Sequence, residues 1–179
     1  MKKVDDIMEL HERFFQVKFS SDEAMEIVLK RSPWTCKGNM FSLLAYDSEK
    51  GLDDYSFDTM VVWVRIYNLP FGSMTRSMGM ALGGCIGSVM VVDIRLVGGN
   101  LGEFLRVRVE IDINQPLRRC VFLDSGKSGK PCVCPLKYEH LPKFCYKCGI
   151  IVHNTLLCFV KVDEKASKLP YGDWLKVSV

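Results

Sequence analysis

Three cysteines and one histidine near the C-terminal end of this chain have the types and the spacing of a metal site. They follow the pattern Cys145-x2-Cys148-x4-His153-x4-Cys158. Thiolate sulfur and imidazole nitrogen are the ligands that Zn²⁺ takes in structural sites, where four of them close a tetrahedron. The pattern therefore predicts that Zn²⁺ is the cofactor, held in a CCHC zinc knuckle. The alternative is a set of scattered buried thiols beside one surface histidine.

A basic block surrounds this motif and indicates an anionic partner. Residues 116–147 carry seven lysines and arginines against two acids, whereas residues 1–60 carry eight basic and twelve acidic residues. Three thiolates and one Zn²⁺ sum to a charge of about −1, so the positive potential must come from the surrounding side chains. Because zinc knuckles contact single-stranded nucleic acid, the sequence predicts RNA or DNA as the partner. The alternative for the block is a solvated loop.

Six side chains are candidates for contacts with nucleic acid. Tyr146 lies between the first two ligands, where an aromatic ring can stack on an unpaired base. The basic candidates for phosphate contacts are Arg118, Arg119, Lys137, Lys143 and Lys147. Local packing under the metal loop is the alternative for Tyr146, and an ordinary surface position is the alternative for the lysines.

A second candidate surface lies on the strand predicted for residues 60–67. Trp63, Arg65 and Tyr67 alternate with apolar residues and therefore share one face. Such a face can form a platform for bases, but packing beneath a helix or hairpin is the commoner arrangement. Arg106 and Arg108 point away from the apolar side of a later strand and are expected either to contact phosphate or to pair with Glu110 or Asp112 from a neighbouring strand.

The order of elements predicts an α+β fold. Strands are expected at residues 13–19, 40–46, 60–67, 88–96 and 105–113, with helices after Ser20 and over residues 73–85. Residues 120–123 and 131–138 are expected to form a hairpin. Two strand-helix-strand halves indicate a ferredoxin-like, RRM-like split β-α-β sandwich, followed by the β-hairpin and the small zinc knuckle.

This organisation divides the chain into four parts. Residues 1–115 are the predicted α+β domain, residues 116–143 the basic hairpin or connector, residues 144–160 the knuckle and residues 161–179 a C-terminal tail.

Bulk composition restricts the class of protein. Hydrophobic residues make up 48% and charged residues 25% of the 179 positions, which is typical of a folded soluble domain. The N-terminus has acids where a signal peptide needs an apolar region, and no uncharged run reaches the ~20 residues of a membrane helix. The chain is expected to be intracellular without a membrane partner, with nucleus and cytoplasm both open. Cys36, Cys85 and Cys120 are expected in the core, and Cys132 and Cys134 on one face of a strand.

Several further motifs, taken with the knuckle, resemble those of a known family. They are Ser32-Pro33-Trp34, Trp63-Val64-Arg65-Ile66-Tyr67-Asn68-Leu69-Pro70, Ile86-Gly87, Leu105-Arg106-Val107-Arg108-Val109-Glu110-Ile111-Asp112, Pro116-Leu117, Tyr138-Glu139-His140-Leu141-Pro142-Lys143-Phe144-Cys145 and Tyr171-Gly172-Asp173-Trp174-Leu175. The combination resembles plant retrotransposon gag-like proteins, in which a domain of unknown function precedes a CX2CX4HX4C knuckle. The resemblance implies a zinc-binding, nucleic-acid-binding protein derived from a mobile element, with no catalytic activity in this segment.

Two departures from that family pattern concern the knuckle. Val152 stands where similar knuckles have glycine, and a β-branched residue is costly if the backbone there needs a positive φ. No basic side chain lies between His153 and Cys158. The second departure favours an alternative function, a protein-interaction or assembly module that includes self-association, in which zinc is only a structural staple.

An enzyme is not predicted. His11 and His140 have no positioned nucleophile or acid pair around them, and a site with four protein ligands leaves zinc no open position for water. No small-molecule substrate is expected.

Overall fold

The computed structural model describes residues 4–11, 14–31, 33–94, 96–97, 100–124, 131–161 and 168–177. Its helices and strands, in chain order, are β1 (Val4–His11), β2 (Phe14–Phe19), α1 (Asp22–Lys30), β3 (Trp34–Cys36), β4 (Asn39–Phe41), β5 (Thr59–Tyr67), α2 (Arg76–Gly84), β6 (Ser88–Asp93), β7 (Leu96–Val97), β8 (Asn100–Leu101), β9 (Phe104–Asp112), β10 (Cys120–Leu123) and β11 (Cys132–Tyr138). The fold is mixed α+β, mostly strand, and all its strand pairs are antiparallel within this part of the chain. In the same ranges no helix is long and apolar enough to cross a membrane.

A five-stranded sheet forms the centre of the molecule, in the order β10-β11-β5-β9-β6. Strict alternation of apolar and polar residues builds β5 and β9, so that each strand buries one side. Val62, Val64 and Val107 are completely buried on that side. Because β5 and β6 are both antiparallel to β9, they run parallel to each other, and β5-α2-β6 is a β-α-β unit with β9 inserted between its strands.

Helix α2 covers the buried side of this sheet, and two glycines allow its close approach. Thr75 caps the helix by accepting a hydrogen bond from the N–H of Met78 at 3.2 Å. A Cβ atom on Gly79 would lie 2.4 Å from a methyl group of Val92, and one on Gly83 would lie 2.7 Å from Val89. Because these two positions lack a side chain, α2 packs directly on the valines of β6.

The N-terminal part of the chain differs from the predicted sandwich. Strands β1 and β2 pair only with each other, as do β3 and β4, so neither hairpin joins the five-stranded sheet. Strand β1 was not predicted, because nearly all its residues are exposed and give no alternating pattern. The predicted strand at residues 40–46 ends at Phe41. The two neighbours of β5 in the sheet are β9 and β11 instead.

Helix α1 begins one residue later than the sequence predicts. Ser21, and not Ser20, is its cap, and its hydroxyl accepts a hydrogen bond from the N–H of Ala24 at 3.2 Å. The helix contacts the β3 hairpin through Trp34, whose indole N–H donates to the carbonyl of Val28 at 2.9 Å. Residues 4–41 thus form a small α+β layer of their own.

Three cysteines expected in the core lie elsewhere. Cys36 and Cys85 are exposed, and Cys120 is half-buried at the edge strand β10. Cys132 and Cys134 do share one face of β11, since both thiols point at the carbonyl oxygen of Asn68. The cysteine side chain is small and polarisable and fits both core and surface positions. The residue type alone therefore does not predict whether a cysteine is buried.

Candidate metal centre

The four predicted ligands converge at one point. The ligand atoms of Cys145, Cys148, His153 and Cys158 all lie within 4.8 Å of one another, and the Sγ atom of Cys148 is 3.3 Å from Nε2 of His153. A tetrahedron with Zn–S bonds of about 2.3 Å and a Zn–N bond of about 2.0 Å has edges of about 3.5–3.8 Å. The cluster therefore has the size and the donor types of a site that could hold a metal ion.

The pKa values of two of the thiols also agree with a site for a metal cation. Burial opposes ionisation of Cys145, but the backbone N–H groups of Cys148 and Lys147 donate to its sulfur and lower the pKa of Cys145 to about 6. Burial raises the pKa of Cys148 to about 11, and the neighbouring sulfurs of Cys145 and Cys158 add to that rise. Sulfurs this close repel one another when ionised, and a divalent cation removes the repulsion.

A tight turn brings the first two ligands together. The N–H of Gly149 donates to the carbonyl of Cys145 at 2.8 Å, and the N–H of Cys145 donates to the carbonyl of Ile150 at 2.8 Å. Gly149 has a φ of 78°, a region that glycine enters without strain. Val152 is not among the described residues with positive φ. The backbone strain expected for a β-branched residue at positive φ therefore does not arise.

The second half of the loop is held by side-chain caps. The carboxamide oxygen of Asn154 accepts hydrogen bonds from the N–H groups of Leu156 and Leu157, at 2.9 and 3.1 Å. The hydroxyl of Thr155 accepts a hydrogen bond from the N–H of Tyr146 at 2.8 Å. These bonds return the chain to the first turn and place Cys158 beside the other ligands.

The loop is anchored in the core of the central sheet. Phe144, Cys145 and Ile151 are buried, and the first and last of these belong to the same hydrophobic cluster as the valines of β5 and β9. The N–H of Leu117 donates to the carbonyl of Gly149 at 3.0 Å. The Cys3His cluster and the packing of the sheet are therefore mechanically connected, across the predicted boundaries at residues 115 and 143.

Replacing Gly149 with alanine should destabilise this junction. A Cβ atom there would lie 2.4 Å from the ring of Tyr171, and alanine at positive φ costs about 1–2 kcal/mol before any clash. We expect a loss of about 2–3 kcal/mol in the free energy of unfolding, measured by urea denaturation of the zinc-loaded protein.

Gly72→Ala is the matched control for that substitution. Its Cβ atom would meet nothing within 4 Å, so it should leave the unfolding free energy within about 0.5 kcal/mol of the parent. Equal losses in the two variants would contradict the role assigned to Gly149.

Tyr146 is packed and hydrogen-bonded at the base of the loop. Its ring lies 5.1 Å from the ring of Phe144, centroid to centroid, and its hydroxyl donates to Oδ1 of Asp173 at 2.6 Å. That hydrogen bond and burial raise the pKa of Tyr146 to about 12. The ring is only half-buried, but the contacts that position it are internal to the protein.

The flanking lysines lie in different surroundings. Lys143 is exposed, and its N–H donates to the carbonyl of Gly38 at 2.6 Å, so it links the β3–β4 hairpin to the metal loop. Lys147 is half-buried within the first turn. Both lysines stay next to the metal cluster.

Arg118 and Arg119 line a cleft that borders the metal loop. The cleft has a volume of about 680 Å³ and lies between the C-terminal end of α2, the segment before β10 and Tyr171. Both arginines are exposed, and Nη1 of Arg119 donates to the carbonyl of Pro170 at 3.3 Å. The guanidinium of Arg119 lies 5.5 Å from the centre of the Tyr171 ring, which itself packs on Gly149. The structure therefore brings these two predicted residues close to the metal loop.

Lys137 lies on the outer face of the sheet, the face that α2 does not cover. It pairs with Arg65 across β11 and β5, and its Nζ atom is 5.6 Å from the centre of the Tyr67 ring. Tyr67 and Arg65 share this outer face with Trp63, as the alternation predicts. The N–H of the adjacent Leu136 donates to the carbonyl of Arg119 at 3.0 Å, so Lys137 lies on the strand that pairs with the segment of the two arginines.

The outer face of the sheet is held by an internal ion cluster. Glu139 is buried and accepts hydrogen bonds from Nε of Arg65 and Nη2 of Arg106, each at 2.6 Å. Arg106 also donates to Asp93 at 3.1 Å and stacks 3.7 Å over the Trp63 ring. Thus Arg106 pairs with acids outside β9, and not with the predicted Glu110 or Asp112. Most of the charged and aromatic side chains described on this face therefore already contact one another.

A group of exposed apolar side chains at the far side of the metal loop was not predicted as functional. Phe159 is 100% exposed and Leu156 is 92% exposed. They form, with neighbours that are also exposed, an apolar tip that consists of Val152, Leu156, Leu157, Phe159 and Val160. The sequence signal was present, since large apolar residues surround Cys158 where a knuckle for nucleic acid would carry basic ones.

Fold and site together define an α+β protein with a Cys3His cluster fused to the core of an antiparallel sheet. A family model for a domain of unknown function (DUF4283) matches residues 3–54. This match covers the β1–β2 hairpin, α1 and the β3–β4 hairpin, and it ends before the central sheet and the metal cluster. It agrees with the resemblance to proteins in which a domain of unknown function precedes a knuckle. No curated protein and no solved structure matches the chain.

Proposed function

We propose that this chain is a non-enzymatic, zinc-binding protein that binds single-stranded RNA or DNA. The observation that carries the proposal is the convergence of three thiols and one imidazole within 4.8 Å. Zinc is the metal best suited to this donor set, because it accepts both sulfur and nitrogen in a closed tetrahedron. In that role the ion holds the loop folded and supplies no reactive position.

The cleft beside the loop supports nucleic acid as the partner. Arg118 and Arg119 supply two permanent charges at one wall, and the Tyr171 ring stands between them and the metal loop. Phosphates of a flexible strand can meet the guanidinium groups while a base stacks on an aromatic ring. We infer that the strand runs from Lys147 past Tyr171 into the cleft, with Tyr146 as a structural support and Lys143 at the margin.

The strand order supports the finer prediction about fold and origin. Strands β11-β5-β9-β6, with α2 joining β5 to β6, follow the split β-α-β order of ferredoxin-like domains that recognise RNA. The family match at residues 3–54 is consistent with the resemblance to retrotransposon gag-like proteins, from which we propose that this chain descends. We propose this relation together with the division into an α+β domain, a basic hairpin, a knuckle and a tail.

Removing the two cleft arginines should weaken nucleic-acid binding and reduce its dependence on salt. Each phosphate contact to a single strand contributes about 0.7 to the slope of log affinity against log salt. The variant Arg118→Gln/Arg119→Gln should therefore bind a labelled single-stranded RNA more weakly, with a slope smaller by about 1.4. Fluorescence anisotropy at about 50 and 200 mM salt measures both quantities.

A control variant that loses the same number of charges distinguishes direct contact with the RNA from general electrostatic attraction to it. Lys18→Gln/Lys30→Gln removes two charges from the exposed surface of β2 and α1, and it should leave the slope unchanged. If both double variants lose affinity equally, the cleft is not the contact site. If the parent protein does not bind the RNA even at the lower salt, nucleic-acid binding is wrong altogether.

The exposed apolar tip favours a second candidate function. Apolar side chains that are fully exposed on a folded protein commonly mark a surface for another protein. In this alternative the metal is a structural staple that presents the tip to a protein partner.

A further inference from the structure

Besides the tip, a second apolar surface in the described part of the chain is uncovered. A groove of about 430 Å³ lies between the β1–β2 hairpin, α1 and the β3–β4 hairpin. All its lining residues are apolar, and they are Val4, Ile7, Phe15, Val17, Phe19, Val28, Trp34, Phe41 and Leu43. Ile7 is 61% exposed and Phe15 is 47% exposed, although they face a concave site. We name this surface the N-terminal groove.

The apolar tip offers the side chains for such a groove. All five are at least 49% exposed, and Leu156 and Phe159 are exposed by 92% and 100%. Burial of a leucine or phenylalanine contributes about 1.5–3 kcal/mol relative to exposure, so two such residues give a contact of useful strength. The groove has the volume of sites that take up a few large apolar groups.

Charge makes the two surfaces attract each other. Residues 1–60, which contain the groove, have a balance of −4, and residues 61–179 have sixteen basic and nine acidic residues, a balance of +7. Glu9 lies opposite Phe15 in the β1–β2 ladder, on the groove side. Around the tip, the sequence contains no acid between Glu139 and Asp163, and Lys147 and Lys161 flank it. Complementary potentials of this kind favour docking in one orientation.

We propose that the apolar tip of one copy of this chain inserts into the N-terminal groove of a second copy. The inference rests on the second candidate function and names its partner. Among the described residues of one copy the tip is exposed and the groove is open, so no described segment fills the groove. Because the two surfaces differ, the contact is head-to-tail, and each added copy leaves one free tip and one free groove for the next.

The test uses two variants that each remove one half of the contact. Leu156→Ser/Phe159→Ser alters the tip without touching a metal ligand, and Ile7→Ser/Phe15→Ser alters the rim of the groove. All four positions are exposed, so both variants should fold and bind zinc like the parent. Sedimentation velocity of the zinc-loaded full chain should show a mass that grows with concentration for the parent, whereas each variant alone stays monomeric.

Mixing the two variants in equal amounts is the deciding experiment. The groove variant offers an intact tip and the tip variant offers an intact groove, so the mixture should form dimers that cannot extend. If the parent associates but the mixture does not restore dimers, assembly stands and the head-to-tail contact is wrong. If the parent stays monomeric at every concentration, both the contact and the assembly function are wrong. Binding of RNA by the tip variant reports on the nucleic-acid function separately.

Discussion

Replacing Cys148 with serine should abolish stable zinc binding and unfold the metal loop. Zinc needs the thiolate, and a serine hydroxyl is not a replacement ligand at neutral pH. Zinc-finger peptides bind structural Zn²⁺ with apparent free energies of about 10–16 kcal/mol, and for such a loop this is folding free energy. The variant should carry no zinc through dialysis, whereas the parent should carry one ion per chain. Colorimetric assay of released zinc measures the difference.

The effect should reach beyond the loop, because Cys145 and its neighbours lie in the core. Cys145 is completely buried, and Phe144 and Leu175 pack in the cluster beneath it. Loss of the metal should therefore lower the thermal unfolding midpoint and open residues 144–160 to proteases. A chelator added to the parent should reproduce both changes.

Cys85→Ser is the matched control for the thiol itself. Cys85 is exposed at the end of α2, outside the metal cluster, so its replacement should leave zinc content and unfolding unchanged. If Cys148→Ser retains a full complement of zinc, the four residues are not the ligand set. If it loses zinc but keeps the parent's stability, the ion does not hold the fold.

Replacing Glu139 with glutamine should be the most damaging substitution outside the metal loop. Glu139 is 7% exposed and accepts hydrogen bonds from two guanidinium groups. Glutamine keeps the shape but leaves Arg65 and Arg106 without their shared countercharge. Removing one partner of a buried ion pair is strongly destabilising, and we expect about 2–4 kcal/mol here, because Arg65 is partly exposed. Urea denaturation at neutral pH measures this loss.

The same carboxylate should make the parent acid-sensitive. Burial opposes the charge on Glu139, but hydrogen bonds from Arg106 and Arg65 outweigh burial and lower the pKa of Glu139 below its ordinary value. A lowered pKa in the folded state gives stability that is present above the unfolded pKa of about 4.3 and is lost as pH falls through the folded pKa. The difference in stability between parent and Glu139→Gln should therefore shrink on acidification below about pH 4.3.

Glu26→Gln tests whether burial is the reason for the large effect. Glu26 also pairs at 2.6 Å, with Lys30, but both side chains are mostly exposed. Exposed pairs of this kind contribute about 0.3–0.5 kcal/mol, so the control should be almost silent. A similar loss of unfolding free energy in both variants would show that burial of the Arg–Glu–Arg cluster is not the reason for the effect.

The central sheet was predictable because its signal is local. In β5 and β9 every second residue is apolar, and this alternation defines both the strand and its buried face. The ends of α2 differ by a few residues from the prediction, because Thr75 is the residue whose side chain caps the helix. The hairpin of β10 and β11 was also predicted, although its tip at residues 126–129 lies outside the described residues.

The N-terminal half was less predictable because its pairings are not encoded by local pattern. Residues 14–19 form a strand, as predicted, but the partner is β1, whose residues are exposed and show no period. The strand that pairs with this edge of β5 is the one whose pairing buries the most apolar surface. Strand β11 is that partner, and it brings Leu136 and Tyr138 into the core. That competition involves residues more than sixty positions apart and cannot be seen in a short window.

The sequence by itself determined the four residues of the candidate metal cluster, because a metal site of this kind needs a few residue types at short, fixed spacings along one loop. It also determined the alternating strands of the sheet, because side chains alternate on any strand. Only the tertiary structure decided that the loop is fused to the core, that Tyr146 is engaged by Asp173, and that Arg118 and Arg119 line a cleft while Lys137 contacts the Tyr67 ring. These outcomes depend on which faces of distant segments are buried together, and burial is a property of the whole fold.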